Sequence, residues 1–506
     1  LLIVHGVVVS LIWGCEMGPI GFIRRSCGCW GRTLLALVCA CAFSAADAAP
    51  LTFTVNSPDD VPDIDPSDGV CETAVGNGVC TLRGAIQESN FHDGADKIIL
   101  QADVTYFLTR VGADEFAQNG DLDILDSVTI TGAGPTTVID GNGGVLGERV
   151  FTIYRCIGNV SPGATCSSFD IVSVTMSGIT IQHGNSASSG GGIYNAGKLS
   201  LQDCVVTANT VGGTNGESGG GIYNILQLTL INSVVSSNIS SAPNASGGGI
   251  YDTGIMTIDS STISGNVVSG FPAGGGGIGV NTASTVIIRN STISNNGATY
   301  GGGIRVHNNG ATQVQIINST ISGNRADDNG GGVYSEFGSS GLYNVTITKN
   351  RANTDEIKAD GRGGGVWKGT GTLYLANSIV AANDRLIPGD PRPTSVPDEC
   401  AGSISSLGYN FLSDIDATNC TISGPYALAV LPLGSLQANG GPTKTHALLP
   451  GNPAIDGGNV SGCRDGNDLP INFDQRGEYR PNGPYCDAGA FEVAEIIFQD
   501  GFDPGA

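Results

Sequence analysis

The stretch Asn318-Ser319-Thr320-Ile321-Ser322-Gly323-Asn324, followed by Gly330-Gly331-Gly332-Val333-Tyr334, decides the fold, because near copies of it recur along the chain. Asn290-Ser291-Thr292-Ile293-Ser294-Asn295-Asn296 precedes it, and Asn344-Val345-Thr346-Ile347-Thr348-Lys349-Asn350 follows it. The glycine triplets end at Gly192, Gly221, Gly249, Gly277, Gly303, Gly332 and Gly365, with spacings of 29, 28, 28, 26, 29 and 33 residues. Apolar residues alternate within a unit, as in Leu228-Thr229-Leu230, which is the period of a half-buried strand and not of a helix. A unit of this size holds two or three strands of four to six residues and cannot bury its apolar side alone. Successive units must therefore stack as the coils of a solenoid, with parallel strands about 4.8 Å apart, or ~35 Å over the flagged coils.

Stacking turns equivalent positions into columns. Val206, Val235, Ile263, Ile293, Ile321, Ile347 and Val380 form an inward aliphatic ladder. Asn209, Asn238, Asn266, Asn296, Asn324, Asn350 and Asn383 are expected to turn the chain in the left-handed conformation while their amides bond along the stack. Triple glycine supplies positive φ and lets the backbones of adjacent coils approach. An outward column follows each glycine corner: Tyr194, Tyr223, Tyr251, Gly279, Arg305, Tyr334 and Trp367. Its rings, Tyr194, Tyr223, Tyr251, Tyr334 and Trp367, offer a platform for sugar rings, the plainer alternative being that they only shield the strand. The fold class is all-β, a single-stranded right-handed parallel β-helix over residues 98–385, with the flagged coils at 178–383. Before it, Leu82, Ala85, Ile86 and Ser89 share one helical face and predict a helix capping the open edge of the first coil.

The 506 residues include 78 Gly and only 14 % charged residues, and the net charge is −23. No Lys/Arg cluster marks a nucleic-acid surface. Residues 17–48 read as a secretory leader, with Arg24, Arg25 and Arg32, the apolar run Leu34 to Phe43 and Ala46-Asp47-Ala48. Residues 1–16 read as an upstream extension of the frame. No later stretch is long and apolar enough for a membrane-spanning helix. Of the 14 cysteines, those beyond the leader form sequence-near pairs, Cys71/Cys80, Cys156/Cys166, Cys400/Cys420 and Cys463/Cys486, expected as disulfides of an oxidising compartment. Cys204 is left over where other coils place Ser233, Ser261, Ser291 and Ser319, and reads as a small buried residue. Asp59, Asp60, Asp63, Asp65 and Asp68, just before Cys71, offer enough oxygens for a structural Ca²⁺, against the alternative of a solvated acidic loop.

The ends carry a resemblance. Cys80-Thr81-Leu82-Arg83-Gly84-Ala85-Ile86-Gln87-Glu88-Ser89-Asn90, preceded by Phe53-Thr54-Val55-Asn56, resembles the CSLREA domain of bacterial surface proteins, with Thr81 and Gly84 departing from the eponymous Ser and Glu. Gly441 to Pro450, Asn452 to Gly458, Asp474-Gln475-Arg476-Gly477 and Cys486 to Glu492 are similar to the choice-of-anchor Q region of such proteins. The middle is similar to polymorphic outer-membrane protein repeats. The resemblance implies a cap at 49–97, terminal coils and an anchor-type region at 386–492, and an exported pectin-lyase-like β-helix at a bacterial surface or in the medium. It implies no reaction.

Catalytic patterns fail on context. A polysaccharide hydrolase needs paired carboxylates, whereas Asp203, Asp252, Asp259, Asp327, Asp328, Asp355 and Glu356 are scattered through the repeats. Asn353-Thr354-Asp355 imitates one polygalacturonase element, but the others are not found in order. A lyase would set a base such as Arg305 or Lys349 beside a Ca²⁺-holding cluster, and neither has one in the columns. Gly216-Glu217-Ser218-Gly219-Gly220 and Gly274 to Gly279 match nucleophile-elbow and dinucleotide patterns only inside glycine corners. His92, His183, His307 and His446 lack metal-ligand spacing. The sequence thus points to a monomeric, adhesive, structural or glycan-binding surface protein with no catalytic residues, the alternative being a polysaccharide lyase or hydrolase. Extracellular glycans or cell surfaces are the expected partners. Ile496, Ile497, Phe498 and Phe502 in the tail 493–506 read as a sorting segment or a last edge strand.

Overall fold

A computed structural model describes residues 49–494, apart from 93, 113, 115, 146, 157–168, 282–283, 308–311, 356–359 and 390–391. The leader, the tail from residue 495, Cys166 and Glu356 lie outside the described residues. The chain is a right-handed parallel β-helix. One coil consists of Ile222–Asn224, Gln227–Ile231, Val234–Ser236 and Ile239–Ser240, so it has four strands of three, five, three and two residues. Two or three longer strands were expected. The fourth, after the Asn column, is too short to show an alternation. Every strand pairs in register with its equivalents above and below, as Val235 does with Val206 and Ile263.

The inward ladder Val206 to Val380 is at most 2 % exposed. It meets paired residues of the five-residue strands, such as Leu228 and Leu230, in one core that runs from Phe53 to Cys420. Beside it the Asn column forms a continuous buried chain. Each Nδ2 donates to the Oδ1 of the next Asn at 2.9–3.0 Å. The chain ends where the Asn383 Nδ2 donates to Glu399 Oε2 at 2.6 Å. The left-handed residues are not these asparagines but their predecessors, Ala208, Ser237, Gly265, Asn295, Gly323, Lys349 and Ala382. That turn swings the following amide inward, where it satisfies a carbonyl and an N–H of the preceding coil, as Asn238 does for Val206 and Asn209.

The three glycines of a triplet serve different ends. The first takes positive φ, +69° at Gly247, while a Cβ on Gly248 or Gly249 would stand 2.5 or 2.7 Å from a carbonyl oxygen of the next coil. Only glycine meets all three conditions.

The expected cap helix spans Leu82–Phe91, with the Thr81 side chain accepting from the Gly84 N–H. It is buried on more than the anticipated face. Arg83, Gln87 and Glu88 are also at most 1 % exposed, because residues 51–72 cross its other side. Arg83 donates to Asp60 at 2.5 Å and to the carbonyls of Ala117, Gly120 and Asp121, locking the leading loop to the first coils.

At the other end, Cys400–Gly408, Phe411–Leu412, Cys420–Ser423 and Ala427–Leu428 close the stack. Residues 386–490 were expected as terminal coils with loops. Beyond Leu428 the chain instead leaves the stack, and residues 429–493 run back along the outside of the sheet built from Val234–Ser236 and its equivalents. Gln475 bonds Thr292 and Thr320, His446 meets the Ser322 hydroxyl at 2.8 Å, and the Ala490 N–H donates to Thr346. Arg480 is buried against Glu492, Asn318 and the carbonyls of Asp487 and Gly489. Thr292, Thr320 and Thr346 are consequently at most 1 % exposed although they point outward.

Candidate functional site

In-register pairing of the first strands aligns Tyr194, Tyr223, Tyr251, Gly279, Arg305, Tyr334 and Trp367 on one outer face. The coil spacing matches aromatic contact distance. Tyr194 and Tyr223 stack with centroids 5.5 Å apart and 5° between planes, and Tyr251 follows at 5.1 Å. Tyr334 and Trp367 stack at 4.3 Å and 6°. Burial pushes the Tyr223 phenol up to about 12, so these rings stay neutral at any physiological pH. Tyr334 is only 7 % exposed. Covered by Tyr300 and Trp367, it supports the platform more than it presents a face.

The column is interrupted at Gly279, and a pocket of about 280 Å³ is bounded by its neighbours in the column, Tyr251 and Arg305, together with Asn281, His307, Ser246 and Pro272. A Cβ at Gly279 would lie 2.2 Å from Ser246 Oγ, so packing alone demands glycine there. Asn281 donates to the Tyr251 hydroxyl at 2.8 Å and orients that ring. Arg305 lies 3.3 Å from His307, both beside Glu336, which accepts from the imidazole. Its Nε is buried with no partner. The pocket therefore offers one ring face, an amide, hydroxyls and an under-used guanidinium, a set suited to hydroxylated ligands. Sequence reasoning found the ring column but missed the pocket as a site. Gly279 within the column was the available signal.

The carboxylates of the repeats stay dispersed. Asp203 holds Asn232, Asp259 pairs with Arg289, and Asp327 accepts from Thr354. Asp252 is inside the coil at the end of a second amide ladder from Asn195 and Asn224, where burial raises it to about 6. Among the residues that bound the pocket none is a carboxylate. In the leading loop, Asp60 is spent on Arg83 and Asp59 on Ser57, while Asp63, Asp65 and Asp68 stay near one another. No three His, Cys, Asp or Glu side chains among the described residues meet in a metal-binding arrangement.

The disulfides Cys71–Cys80, Cys400–Cys420 and Cys463–Cys486 form as expected, whereas the pairing of Cys156 with Cys166 falls outside the described residues. Cys204 is a free, buried thiol whose N–H donates to Ser233 in the serine column. No helix among the described residues is long and apolar enough to cross a membrane.

A family model described as right handed beta helix region matches residues 166–352 and 227–384. The crystal structure of pectate lyase Pel9A is similar to this chain with a TM-score of 0.48 and 14 % identity, over 88 % of this chain and 97 % of that one. No curated protein matches the chain. The matched residues coincide with the described coils whose strand pairing makes the parallel β-helix.

Proposed function

We propose that this chain is an exported β-helix protein that binds carbohydrate on its tyrosine face without chemically altering it. The ring column with the pocket between Tyr251 and Arg305 carries this reading, since stacked faces beside polar groups match the alternating apolar and hydroxyl surfaces of a sugar chain. Three disulfides support an oxidising destination. The likeness of both ends to CSLREA and choice-of-anchor Q regions supports a place at a bacterial surface.

A glycan array with the mature protein, followed by calorimetry on each hit, tests the proposal. Tyr223→Ala and Trp367→Ala each remove a ring worth about 0.5–1.5 kcal/mol, so affinity should fall roughly 2- to 10-fold. An empty array, or variants binding like the parent, would defeat it. Reducing-sugar and unsaturated-product assays on polyuronates are expected to stay at background, because a hydrolase would need paired carboxylates, which the described residues bounding this pocket do not supply. Turnover would favour the enzymatic alternative.

A further inference from the structure

The cap helix and the loop before it enclose a group of acids with no cation beside them. Asp63 is 7 % exposed and Glu88 1 %. Asp63 accepts the backbone N–H of Asp65 at 2.9 Å and of Glu72 at 2.7 Å, and Glu88 Oε2 accepts that of Gly69 at 2.9 Å. Gln87 holds the Asp63 N–H, and a Cβ on Gly84 would come within 3.5 Å of the Asp63 carboxylate. The helix face carrying Gly84 and Glu88 therefore lies directly against the loop Asp63-Ile64-Asp65-Pro66-Ser67-Asp68-Gly69. The only nearby arginine of the helix, Arg83, is committed to Asp60.

Glu88 Oε1 is buried with no hydrogen-bond partner. Burial first, then the charges of Asp63, Asp68 and Asp65, raise this carboxyl to about 7. Burial, with Asp68 and Glu72, raises Asp63 as well. The place thus holds crowded negative charge and a buried oxygen without a partner. A bound cation would resolve both, because it supplies the counter-charge and takes the free oxygen as a ligand.

We propose that Asp63, Asp65, Asp68 and Glu88 form a Ca²⁺ site that ties the leading loop to the cap helix. Four carboxylates and loop carbonyls meet the six to eight oxygens Ca²⁺ takes in flexible geometry, which rigidly octahedral Mg²⁺ does not accept as readily. Asp65 and Asp68 are exposed, and turning them from the Ser67 hydroxyl and the Val70 N–H that they now accept toward Glu88 closes the arrangement that the side chains leave open. Asp59 and Asp60 have no part in it.

Calorimetry on the EDTA-dialysed mature protein should show one equivalent of Ca²⁺ bound. The melting midpoint should be higher in about 5 mM CaCl₂, above the 10⁻⁴–10⁻³ M range common to extracellular modules, than in EDTA or in equal MgCl₂. The double variant Asp65→Asn/Asp68→Asn alters only exposed side chains and should bind at least tenfold more weakly, as should Glu88→Gln, whereas Asp59→Asn binds like the parent. Absence of heat together with identical melting in CaCl₂ and EDTA would overturn the site. So would an equal response to MgCl₂, or undiminished binding by the double variant.

Discussion

Replacing one member of the asparagine chain, Asn296→Leu, tests what holds the coils in register. Asn296 is 1 % exposed, and leucine keeps its branching and number of side-chain heavy atoms, though its methyl groups are bulkier than the amide. The change removes the Nδ2 donations to Ile263 O at 3.0 Å and to Asn324 Oδ1 at 2.9 Å. It also removes the acceptor for the Asn266 N–H at 2.9 Å and for the Asn266 Nδ2 at 3.0 Å. Asn324 Oδ1 keeps the Asn296 N–H and Asn266 Nδ2 keeps Val235 O, so the loss concentrates on the Asn266 N–H and the Ile263 carbonyl. Four bonds at about 1 kcal/mol each, raised by about 1–3 kcal/mol for the two buried backbone groups left unpaired and offset in part by the added apolar surface, give a cost of roughly 3–5 kcal/mol. With an unfolding entropy of about 2.1 cal/mol/K per residue, a folded body of this length loses about 1 °C of melting temperature per kcal/mol, so a fall of roughly 3–5 °C is expected. Differential scanning calorimetry measures it, with Gln313→Ala, an exposed strand position, as a control expected within about 0.5 kcal/mol of the parent. Asn296→Asp separates charge from shape, because a carboxylate accepts but cannot donate and should be worse at neutral than at acid pH. If Asn296→Leu melted with the parent, the ladder would contribute nothing and the aliphatic columns alone would set the register.

Gly248→Ala should cost folded yield, since its Cβ would meet Gly276 O at 2.5 Å, whereas Gly297→Ala has open space and should fold; circular dichroism of the purified variants decides. Glu399 is raised to about 7, and Asp398 and Asp487 to about 6, all chiefly by burial. Their folded forms hold protons that the unfolded chain releases above pH ~4, so this stability is present in acid and lost as pH rises through about 7. His446, lowered by burial, acts in the opposite sense, losing its contribution as pH falls through its ordinary value. With more carboxylates than imidazoles in this state, the melting midpoint in EDTA should decline from pH ~5 to ~8, and Glu399→Gln should flatten that decline. Arg480→Met strands Glu492 in a buried place, at a cost of about 3–5 kcal/mol. Limited proteolysis should then cut within residues 429–493 while the coils persist. Unchanged resistance would mean that the segment is held elsewhere.

What the sequence determined by itself is what repeats. The inward column from Val206 to Val380, the asparagine chain and the triplets were legible because each coil reproduces them at one offset, and a parallel stack leaves equivalent residues no place but above one another. The cap helix and the disulfides were legible because their partners are close in sequence. The two-residue fourth strand was not, since alternation needs more residues than it has. Nor was the left-handed residue before each asparagine, because Ala208, Ser237 and Lys349 carry no local preference that announces it. The ring column could be read off the period, but its pocket could not, as its lining joins Ser246, Pro272, Asn281 and His307 from different coils and corners that share no column. Only the tertiary structure decided the return of residues 429–493. Its contacts join positions such as Thr320 and Gln475, 155 residues apart, where no period links the partners and loop closure over such a distance leaves no trace in local pattern. The buried Arg83, Arg480 and His446 belong to the same class. Polar residues that sequence assigns to the surface become interior when a distant segment covers them and meets their hydrogen bonds.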